Sequence, residues 1–331
     1  MPPFESIATS LFVAAGSTLA LEDIGTIGVI GAGQMGLGIA EVCAIAGYSV
    51  TVSDLTKGHV ERGLTSMKRR LDQRVQRGKL SDEARDGIVS RIAPITLEEQ
   101  DRADLVIEAA SEDVTLKLEL FARLDRIARA GVVLASNTSS ISLTRIAAAT
   151  TRPELVVGMH FMNPVPVMEL CELVRGLQTA PETLALAESL AHKLGKTTAH
   201  SEDRPGFIVN RVLIPLLNEA CFALEEGVAR AEDLDSAVRL GLNHPMGPLA
   251  LADLIGLDTV LAIATVLHRD FADSKYRPAP LLQNLVAAGW LGKKTGRGFY
   301  LYGVDGSRGA ATPLSRDAST ASGSANASKV R

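Results

Sequence analysis

The stretch from Thr26 to Asp54, TIGVIGAGQMGLGIAEVCAIAGYSVTVSD, decides the fold of this chain. Its first five residues form an apolar, β-branched run typical of a buried strand, and glycines follow at positions 31, 33 and 36. An apolar segment compatible with a helix then ends at Gly47, and a second strand pattern ends at Asp54. Strand, glycine-rich turn, helix and strand with a terminal acid predict a βαβ unit that binds a dinucleotide, whereas a plain glycine-rich turn is the alternative.

Each glycine of this G-x-G-x-x-G spacing has a physical role. Gly31 makes the tight turn, Gly33 lets the backbone approach a pyrophosphate, and Gly36 lets the helix pack on the strand. Gln34 and Met35 open the helix, whose first N–H groups and positive dipole end suit phosphates, and both belong to the expected cofactor site. Asp54 can accept hydrogen bonds from an adenosine ribose diol and would repel a 2′-phosphate, so the expected cofactor is NAD rather than NADP.

The composition excludes several classes of protein. A chain of 331 residues with 46% hydrophobic residues is expected to form two domains with sizeable cores. A net charge of −4 disfavours a nucleic-acid-binding protein, and no apolar run is long enough to cross a membrane. Cys43, Cys171 and Cys221 lie in apolar contexts without metal-ligand spacing, so we expect buried thiols, no metal site and a reducing, cytoplasmic location. Residues 1–23 are expected to be an N-terminal extension.

A helical insertion is predicted after Asp54. Residues 55–79 form a basic helical pattern, which is either a face for a phosphorylated substrate tail or a plain solvated face, and charge alone favours the latter. Ser81 is a good cap for a second helix over 81–90, so the pair is expected to project from the sheet. From 91 to 161 strand and helix patterns alternate, which predicts a Rossmann-like, doubly wound α/β sheet with parallel strands. Ligands bind at the carboxyl ends of such strands, where residues 136–139 and His160 fall.

The alternation ends in a hairpin and a helical domain. Pairing of residues 155–161 with 167–174 would bring His160 close to Glu172 across two antiparallel strands. Residues 197–203 are interpreted as a link. At 205/206 the strand pattern ends, and the chain that follows has an almost entirely helical pattern. We therefore expect an NAD-binding domain over 24–205 and an all-helical domain over 206–303, whose apolar surplus predicts a homodimer. Residues 304–331 are small and polar, which predicts a disordered tail.

Six motifs in order give the chain a family resemblance. Residues 24–303 resemble the L-3-hydroxyacyl-CoA dehydrogenases, and within them the short-chain bacterial 3-hydroxybutyryl-CoA dehydrogenases. The resemblance implies NAD-dependent oxidation of (S)-3-hydroxyacyl-CoA to 3-oxoacyl-CoA, with the reverse reduction available. The motifs are GAGQMG with Asp54, SNTSS (136–140), GMHFMNPVPVMELCELV (158–174), DRPGFIVNR (203–211), HPMGPLALADLIGLD (244–258) and GKKTGRGFY (292–300).

His160 and Glu172 are the expected catalytic pair. The reaction needs a base for the 3-hydroxyl proton, and imidazole titrates near the working pH. A carboxylate that accepts from the other ring N–H would orient the ring and stabilise the imidazolium. The resemblance assigns these same roles to His160 and Glu172, whereas an isolated histidine would more simply be a core residue beside a surface glutamate.

The resemblance implies roles for seven further residues. Ser139 and Asn210 would contact the 3-oxygen of the substrate, Ser139 would approach the nicotinamide, and Asn163 would help to place the nicotinamide and His160. Simpler interpretations are a helix cap for Ser139 and a turn for Asn163. The resemblance also implies contacts of Glu112, Lys117 and Lys294 with the nicotinamide half of NAD, and of Lys68 with the phosphates of CoA, although each could be a plain surface charge.

One departure and two alternatives accompany this interpretation. The family commonly has two aromatic residues after the histidine, whereas here Met162 follows Phe161, which bears on the shape of the acyl pocket. A dehydrogenase of a free 3-hydroxy acid or sugar acid is one alternative. Those that rely on a lysine base lack the His/Glu pair, whereas relatives that act on sugar acids can retain it. A non-catalytic NAD-binding relative is the other alternative, and the presence of His160, Glu172, Ser139 and Asn210 together argues against it.

Overall fold

A computed structural model describes residues 20–314 of the chain. Its first unit is built on an eight-stranded sheet in the order β3-β2-β1-β4-β5-β6-β7-β8. The strands are β1 (Thr26–Ile30), β2 (Ser49–Ser53), β3 (Ile92–Pro94), β4 (Leu105–Glu108), β5 (Val133–Ser136), β6 (Val156–Phe161), β7 (Leu170–Arg175) and β8 (Thr197–Glu202). The order 3-2-1-4-5-6 of the parallel strands is that of the Rossmann fold, as predicted.

The glycine loop folds as its spacing predicts. Gly31 has a φ of +106°, and a Cβ there would lie 2.5 Å from the carbonyl oxygen of Ala109 on the neighbouring strand connection. A Cβ on Gly36 would lie 1.9 Å from the carbonyl oxygen of Gly31, so only glycine lets the helix begin this close to the strand. The helix α1 (Gln34–Ile45) follows at once and buries most of its length against the sheet.

Helices cover both faces of this sheet and close its core. Ile27, Val29 and Ile107 from the central strands are fully buried, because strands covered on both faces require apolar side chains on both sides. The helices of this unit after α1 are α2 (Lys57–Gln76), α3 (Asp82–Ser90), α4 (Val114–Ile127), α5 (Leu143–Ala147) and α6 (Pro181–Lys193), with short 3₁₀ turns at Leu21–Asp23, Glu98–Arg102 and Pro153–Leu155.

The helical insertion packs on the sheet. The prediction that its two helices project from the sheet is therefore wrong. Met67 of α2 and Ile88 of α3 are buried in the same apolar core as α1. Arg70 and Arg74 of α2 turn toward Glu41, a buried carboxylate on α1, and Arg74 Nη1 lies 2.6 Å from Glu41 Oε1. Part of the basic pattern of α2 therefore fastens the insertion to α1, because a buried carboxylate needs paired donors.

The predicted hairpin is confirmed, but the link after it is a strand. β6 and β7 are antiparallel, and His160 lies directly opposite Glu172. Residues 197–202, interpreted from sequence as a link, form β8, which pairs in parallel with β7 and ends the sheet. The sequence TTAHSE lacks the apolar signal of a buried strand because this edge strand is only half covered.

The second unit is mainly helical. The chain divides into two compact units between Phe207 and Ile208. In the second unit, Ile214, Leu217 and Leu249 belong to a separate apolar core. Its helices are α7 (Val209–Glu225), α8 (Ala231–Gly241), α9 (Pro248–Ile255), α10 (Leu257–Phe271) and α11 (Pro280–Ala287), with 3₁₀ turns at Ser274–Tyr276 and Lys293–Thr295.

The expected disordered tail needs correction. Residues 300–302 form β9 (Tyr300–Tyr302), which pairs antiparallel with β10 (Arg308–Ala311), so the tail is structured beyond residue 304. The guanidinium of Arg308 lies 4.7 Å from the centre of the Tyr300 ring and 3.5 Å from Asp235 Oδ2. Small residues can form this strand because the contacts come from Arg308 and from the backbone. Residues 315–331, and residues 1–19 of the expected N-terminal extension, lie outside the described part.

Membrane-spanning potential is limited to one bent pair of helices. Across residues 20–314, no single helix is long and apolar enough to cross a bilayer. α9 and α10 reach the necessary length and apolar composition only when they are taken together, across a bend of 98°.

Candidate active site

The glycine loop and Asp54 lie together at the carboxyl ends of β1 and β2. Asp54 Oδ2 accepts a hydrogen bond of 2.7 Å from the backbone N–H of Ala32, and Oδ1 accepts one of 2.6 Å from Leu55. Gly33 is the N-cap of α1, and a Cβ placed on it would meet nothing within 4 Å. A cavity of about 780 Å³ opens beside these residues, lined also by Lys57, Thr96, Glu98, Ser111 and Arg123.

A buried ion pair supports the next strand end. Lys117 on α4 is almost fully buried, and its Nζ donates to Glu108 Oε1 at 2.6 Å, at the end of β4. Glu108 also accepts from the N–H of Ala110 and from the hydroxyl of Ser136, so both of its oxygens are satisfied. Lys117, expected at the cofactor, is thus held by Glu108, and its Nζ lies 3.5 Å from Glu112 Oε2. Charges buried without such partners would be costly.

Glu112 organises the SNTSS segment. Its Oε1 accepts hydrogen bonds from the hydroxyl of Thr138 at 2.7 Å and from the N–H groups of Ser139 and Ser140. The hydroxyl of Ser139 lies 3.1 Å from the same oxygen. Burial raises the pKa of Glu112, but Lys117 and these donors outweigh it, so its pKa lies below the usual range. Glu112 is therefore ionised at neutral pH and holds Ser139 in place.

His160 and Glu172 form a hydrogen-bonded dyad. Nδ1 of His160 lies 2.6 Å from Oε2 of Glu172, and both residues are buried, at 8% and 0% exposure. The two strands β6 and β7 fix this distance because their register places the residues opposite each other. When Nδ1–H donates to Oε2 of Glu172, the lone pair of the imidazole ring lies on Nε2. Nε2 can then accept a proton from a bound substrate.

Two contacts tie this dyad to its surroundings. The backbone N–H of Phe161 donates to Oδ1 of Asn137 at 2.9 Å, which joins the end of β6 to the SNTSS segment. The ring of Phe207 meets the His160 imidazole edge-on, with centroids 5.7 Å apart. The strand that carries His160 and the segment that carries Ser139 are therefore joined at the same edge of the sheet.

The remaining expected residues occupy separate places. Asn163 is exposed on the connection from β6 to β7, before a cis peptide bond to Pro164. Lys68 is exposed on α2. In the second unit, Asn210 is buried in the first turn of α7, and Lys294 Nζ contacts both carboxylate oxygens of Asp258 at 2.5 and 2.6 Å.

Comparison with known proteins identifies the family of the chain. Residues 26–204 match the NAD binding domain of 3-hydroxyacyl-CoA dehydrogenase, and residues 206–302 match its C-terminal domain. The chain belongs to the 3-hydroxyacyl-CoA dehydrogenase family. It is an NAD-dependent oxidoreductase, as the resemblance implied.

Relatives of this dehydrogenase cover nearly the same length. It is 53% identical over 281 residues to a probable 3-hydroxybutyryl-CoA dehydrogenase of Bacillus subtilis, across 85% of this chain and 98% of that one. It is 51% identical to a 3-hydroxybutyryl-CoA dehydrogenase of Bradyrhizobium diazoefficiens, across 83% and 94% of the two chains. The crystal structure of (S)-3-hydroxybutyryl-CoA dehydrogenase from Ralstonia eutropha superposes with a TM-score of 0.81 at 48% identity, covering 85% and 99%.

The residues present fit NAD. The first intrahelical bond of α1 runs from Leu37 N–H to Gly33 O, so the N–H groups of Gln34, Met35 and Gly36 precede it at the helix end. The open space beside Gly33 lets a pyrophosphate reach these donors. Asp54 is an acid at the end of β2, the position that suits a ribose diol in this fold.

Sequence reasoning missed the residues that support the site. Glu108, Asn137 and Phe207 each contact a predicted site residue or its segment. Glu108 left a signal, because a glutamate at the end of the apolar strand ADLVIEAA requires a buried partner. Asn137 and Phe207 left no signal in the sequence beyond the motifs that contain them. Their contacts with Phe161 and His160 join residues that only the fold brings together.

Proposed function

We propose that this dehydrogenase oxidises (S)-3-hydroxybutyryl-CoA to acetoacetyl-CoA with NAD and catalyses the reverse reduction. The observation that carries the proposal is the 2.6 Å hydrogen bond between His160 and Glu172 at the carboxyl end of β6 in an NAD-binding unit. The short acyl chain is supported by the names of the relatives above. Longer 3-hydroxyacyl chains are the nearest alternative.

His160 moves the proton in this mechanism. Bound at the glycine loop and Asp54, NAD would supply the acceptor for the hydride of substrate C3. Nε2 of His160 takes the proton of the 3-hydroxyl group as the C3–oxygen bond becomes a carbonyl, and returns a proton during reduction. Glu172 keeps the ring in the required tautomer and compensates the imidazolium charge, because it is buried beside Nδ1 and accepts a hydrogen bond from Nδ1–H.

Ser139, Asn163 and Asn210 are proposed to orient the substrate. The resemblance assigns Ser139 and Asn210 to the 3-oxygen and Asn163 to the nicotinamide. The contacts of Ser139 with Glu112 support a specific role, because its backbone N–H and its hydroxyl both meet Oε1 of Glu112, which fixes the position of the Ser139 side chain. Glu112 is thereby proposed to hold Ser139 in the orientation that receives the alcohol.

NAD and CoA are proposed to be held by separate groups. The glycine loop would hold the pyrophosphate, Asp54 the adenosine ribose, and Glu112 the segment beside the nicotinamide. Lys117 would act on NAD only through Glu112, since its ammonium is buried against Glu108. Lys294 and Lys68 keep the roles that the resemblance implies, at the nicotinamide half and at the CoA phosphates.

NADH consumption tests the substrate. We expect rapid oxidation of NADH with acetoacetyl-CoA and little with free acetoacetate or a keto sugar acid at the same concentration. Comparable rates with either free acid would favour a dehydrogenase of free acids. A higher kcat/KM for 3-oxohexanoyl-CoA or longer chains than for acetoacetyl-CoA would contradict the short-chain proposal.

We further propose a cytoplasmic homodimer that works in fatty-acid β-oxidation. Support for the dimer comes from apolar side chains exposed on the second unit, among them Val212, Leu240, Leu242 and Leu254. Three buried free thiols, at Cys43, Cys171 and Cys221, suit a reducing compartment. Sedimentation equilibrium should give twice the chain mass of 35.0 kDa, and a mass of 35.0 kDa would contradict the dimer.

A further inference from the structure

Lys196 occupies a position where an apolar residue is customary. α6 ends in a Schellman motif: the N–H of Gly195 donates to His192 O, and the N–H of Lys196 donates to Ala191 O, both at 2.9 Å. Gly195 has a φ of +73°, which turns the chain back toward the sheet. The residue after this glycine commonly makes a hydrophobic contact with the helix end. Here it is a lysine with only 8% exposure.

The ammonium of Lys196 binds two backbone carbonyls of one loop. Nζ donates to Val165 O at 2.6 Å and to Met168 O at 2.8 Å. Burial lowers the pKa of Lys196, while nearby Cys171 and Glu169 act in the opposite direction. An aliphatic residue could fill this space but would leave the two carbonyls without the donor that Lys196 provides.

The loop that Lys196 binds joins the strands of the dyad. Residues 162–169 run from the end of β6, beside His160, to the start of β7, before Glu172. The same loop carries Asn163. Within it, Pro164 O accepts from the N–H groups of Val167 and Met168, which form a compact turn.

A second anchor holds the loop against the cofactor helix. Val165 is buried, and a Cβ on Gly38 of α1 would lie 2.9 Å from its Cβ. The loop is thus held on one side by α1, whose N-terminus belongs to the NAD site, and on the other by Lys196. Side chains at 167 and 168 remain exposed, so packing of the loop's own apolar residues does not replace these anchors.

We infer that Lys196 is a positioning residue, which fixes the 162–169 loop and through it Asn163 and the spacing of the His160 and Glu172 strands. The inference rests on the proposed roles of Asn163 and the dyad. A lysine kept only to stabilise the fold would affect the amount of folded enzyme. A positioning lysine also affects the turnover of each folded molecule.

The test compares Lys196→Met with Lys193→Met. Methionine keeps length and removes the donors, and Lys193 is an exposed lysine at the end of the same helix. Lys196→Met should lower kcat about tenfold or more per folded enzyme, because displacement of about 1 Å at a reacting centre is costly. It should also raise KM for NADH and speed hydrogen exchange at the N–H groups of Val167 and Met168. Lys193→Met should match the wild type in all three.

Several outcomes decide the inference. Wild-type kcat and KM in folded Lys196→Met, with only a lower melting temperature, would overturn it. If that variant does not fold, Lys196→Gln carries the test, since its shorter side chain offers N–H donors but reaches the carbonyls less well. Lys196→Gln should lower kcat and raise KM for NADH relative to the wild type and Lys193→Met, and wild-type kinetics despite fast hydrogen exchange at Val167 and Met168 would overturn the inference. Absence of turnover with acetoacetyl-CoA in the wild-type enzyme would instead contradict the proposed function, and the exchange rates would still report whether Lys196 holds the loop.

Discussion

Two carboxylates at the edge of the sheet, Asp54 and Glu112, accept hydrogen bonds that shape the site, in addition to the ligand contacts proposed for them. Asp54 accepts from Ala32 and Leu55, and Glu112 accepts from Thr138, Ser139 and Ser140. Substituting either residue therefore changes the shape of the site as well as its charge. A conservative amide variant separates the two effects, because it retains one acceptor oxygen.

Asp54 should determine the choice of cofactor. We expect Asp54→Ser to raise KM for NADH and to narrow the preference over NADPH, because the carboxylate that repels a 2′-phosphate is gone. Asp54→Asn is the matched control for the shape of the site. Its amide oxygen can still accept from the N–H of Ala32, so its effect reports the loss of charge. Initial rates with both cofactors measure this. Equal kcat/KM for NADH and NADPH in the wild-type enzyme would refute the role of Asp54.

Glu112 should affect both the stability of the enzyme at acid pH and its kcat. Its folded pKa is lowered, so its stabilising contribution is present above the unfolded pKa of about 4.3 and is lost as pH falls through the folded value. Below about pH 4.3 the melting temperature of the wild type should therefore fall more steeply than that of Glu112→Gln. The variant should also lower kcat, because Ser139 loses its charged acceptor.

Glu182→Gln, an exposed change on α6, is the control for the Glu112 experiment. It should leave both the acid profile and kcat unchanged. Parallel acid profiles for the wild type and Glu112→Gln would show that Glu112 is not ionised in the way its contacts indicate.

At the scale of elements, α2 has two kinds of basic residue. Arg70 and Arg74 pair with Glu41, whereas Lys68 is exposed. We expect Lys68→Glu to raise KM for acetoacetyl-CoA more than it lowers kcat, with a smaller effect of the equivalent change at exposed Lys79. Added salt should raise the wild-type KM, because exposed charges are screened over about 8–10 Å at moderate ionic strength. An unchanged KM in Lys68→Glu would place the CoA phosphates elsewhere.

The β9–β10 hairpin should contribute to stability. A chain that ends at Gly303 loses the Arg308 contacts with Tyr300 and Asp235 and the hydrogen bond from Thr312 N–H to Phe299 O. Its melting temperature should be several degrees below that of a chain that ends at Leu314, since about 1 kcal/mol corresponds to a few degrees in a protein of this size. Arg308→Met in the full chain should give part of this loss. Identical melting temperatures for the two truncated chains would contradict the structural role of the hairpin.

The sequence predicted elements best where the apolar pattern was strong. The buried strands and the His160–Glu172 hairpin follow from β-branched runs and from pairing that a short turn allows. β8 and β10 were missed because TTAHSE and RGAA carry no apolar alternation, and their pairing depends on a neighbour already in place. Packing of α2 and α3 on α1 was missed because the decisive group, Glu41, is hidden in an apolar helix.

At the scale of the whole molecule, motif order along the chain predicted the family and its cofactor. The βαβ unit explains NAD binding in physical terms, since a Cβ on Gly31 or Gly36 would meet backbone atoms, and the space beside Gly33 is open to a pyrophosphate. The supporting contacts of Asn137 and Lys196 could not be predicted, because each joins segments that are distant in sequence, whereas the contact of Glu108 with Lys117 was overlooked although a glutamate in an apolar strand requires a buried partner. These contacts determine how rigidly the dyad and Ser139 are held, which residue types alone do not reveal.

The dyad itself is tested by kcat for acetoacetyl-CoA reduction in a double-mutant cycle of His160→Gln and Glu172→Gln. General acid–base catalysis is typically worth about 10²–10⁴-fold, so His160→Gln should lower kcat by that much or more while NADH binding is retained. Glu172→Gln should also lower kcat, because its amide cannot compensate the imidazolium charge. The double variant should be little worse than His160→Gln alone, since residues that act as a unit are non-additive. Multiplicative losses would mean that the two residues act independently, and turnover near the wild-type value in His160→Gln would remove His160 from the mechanism.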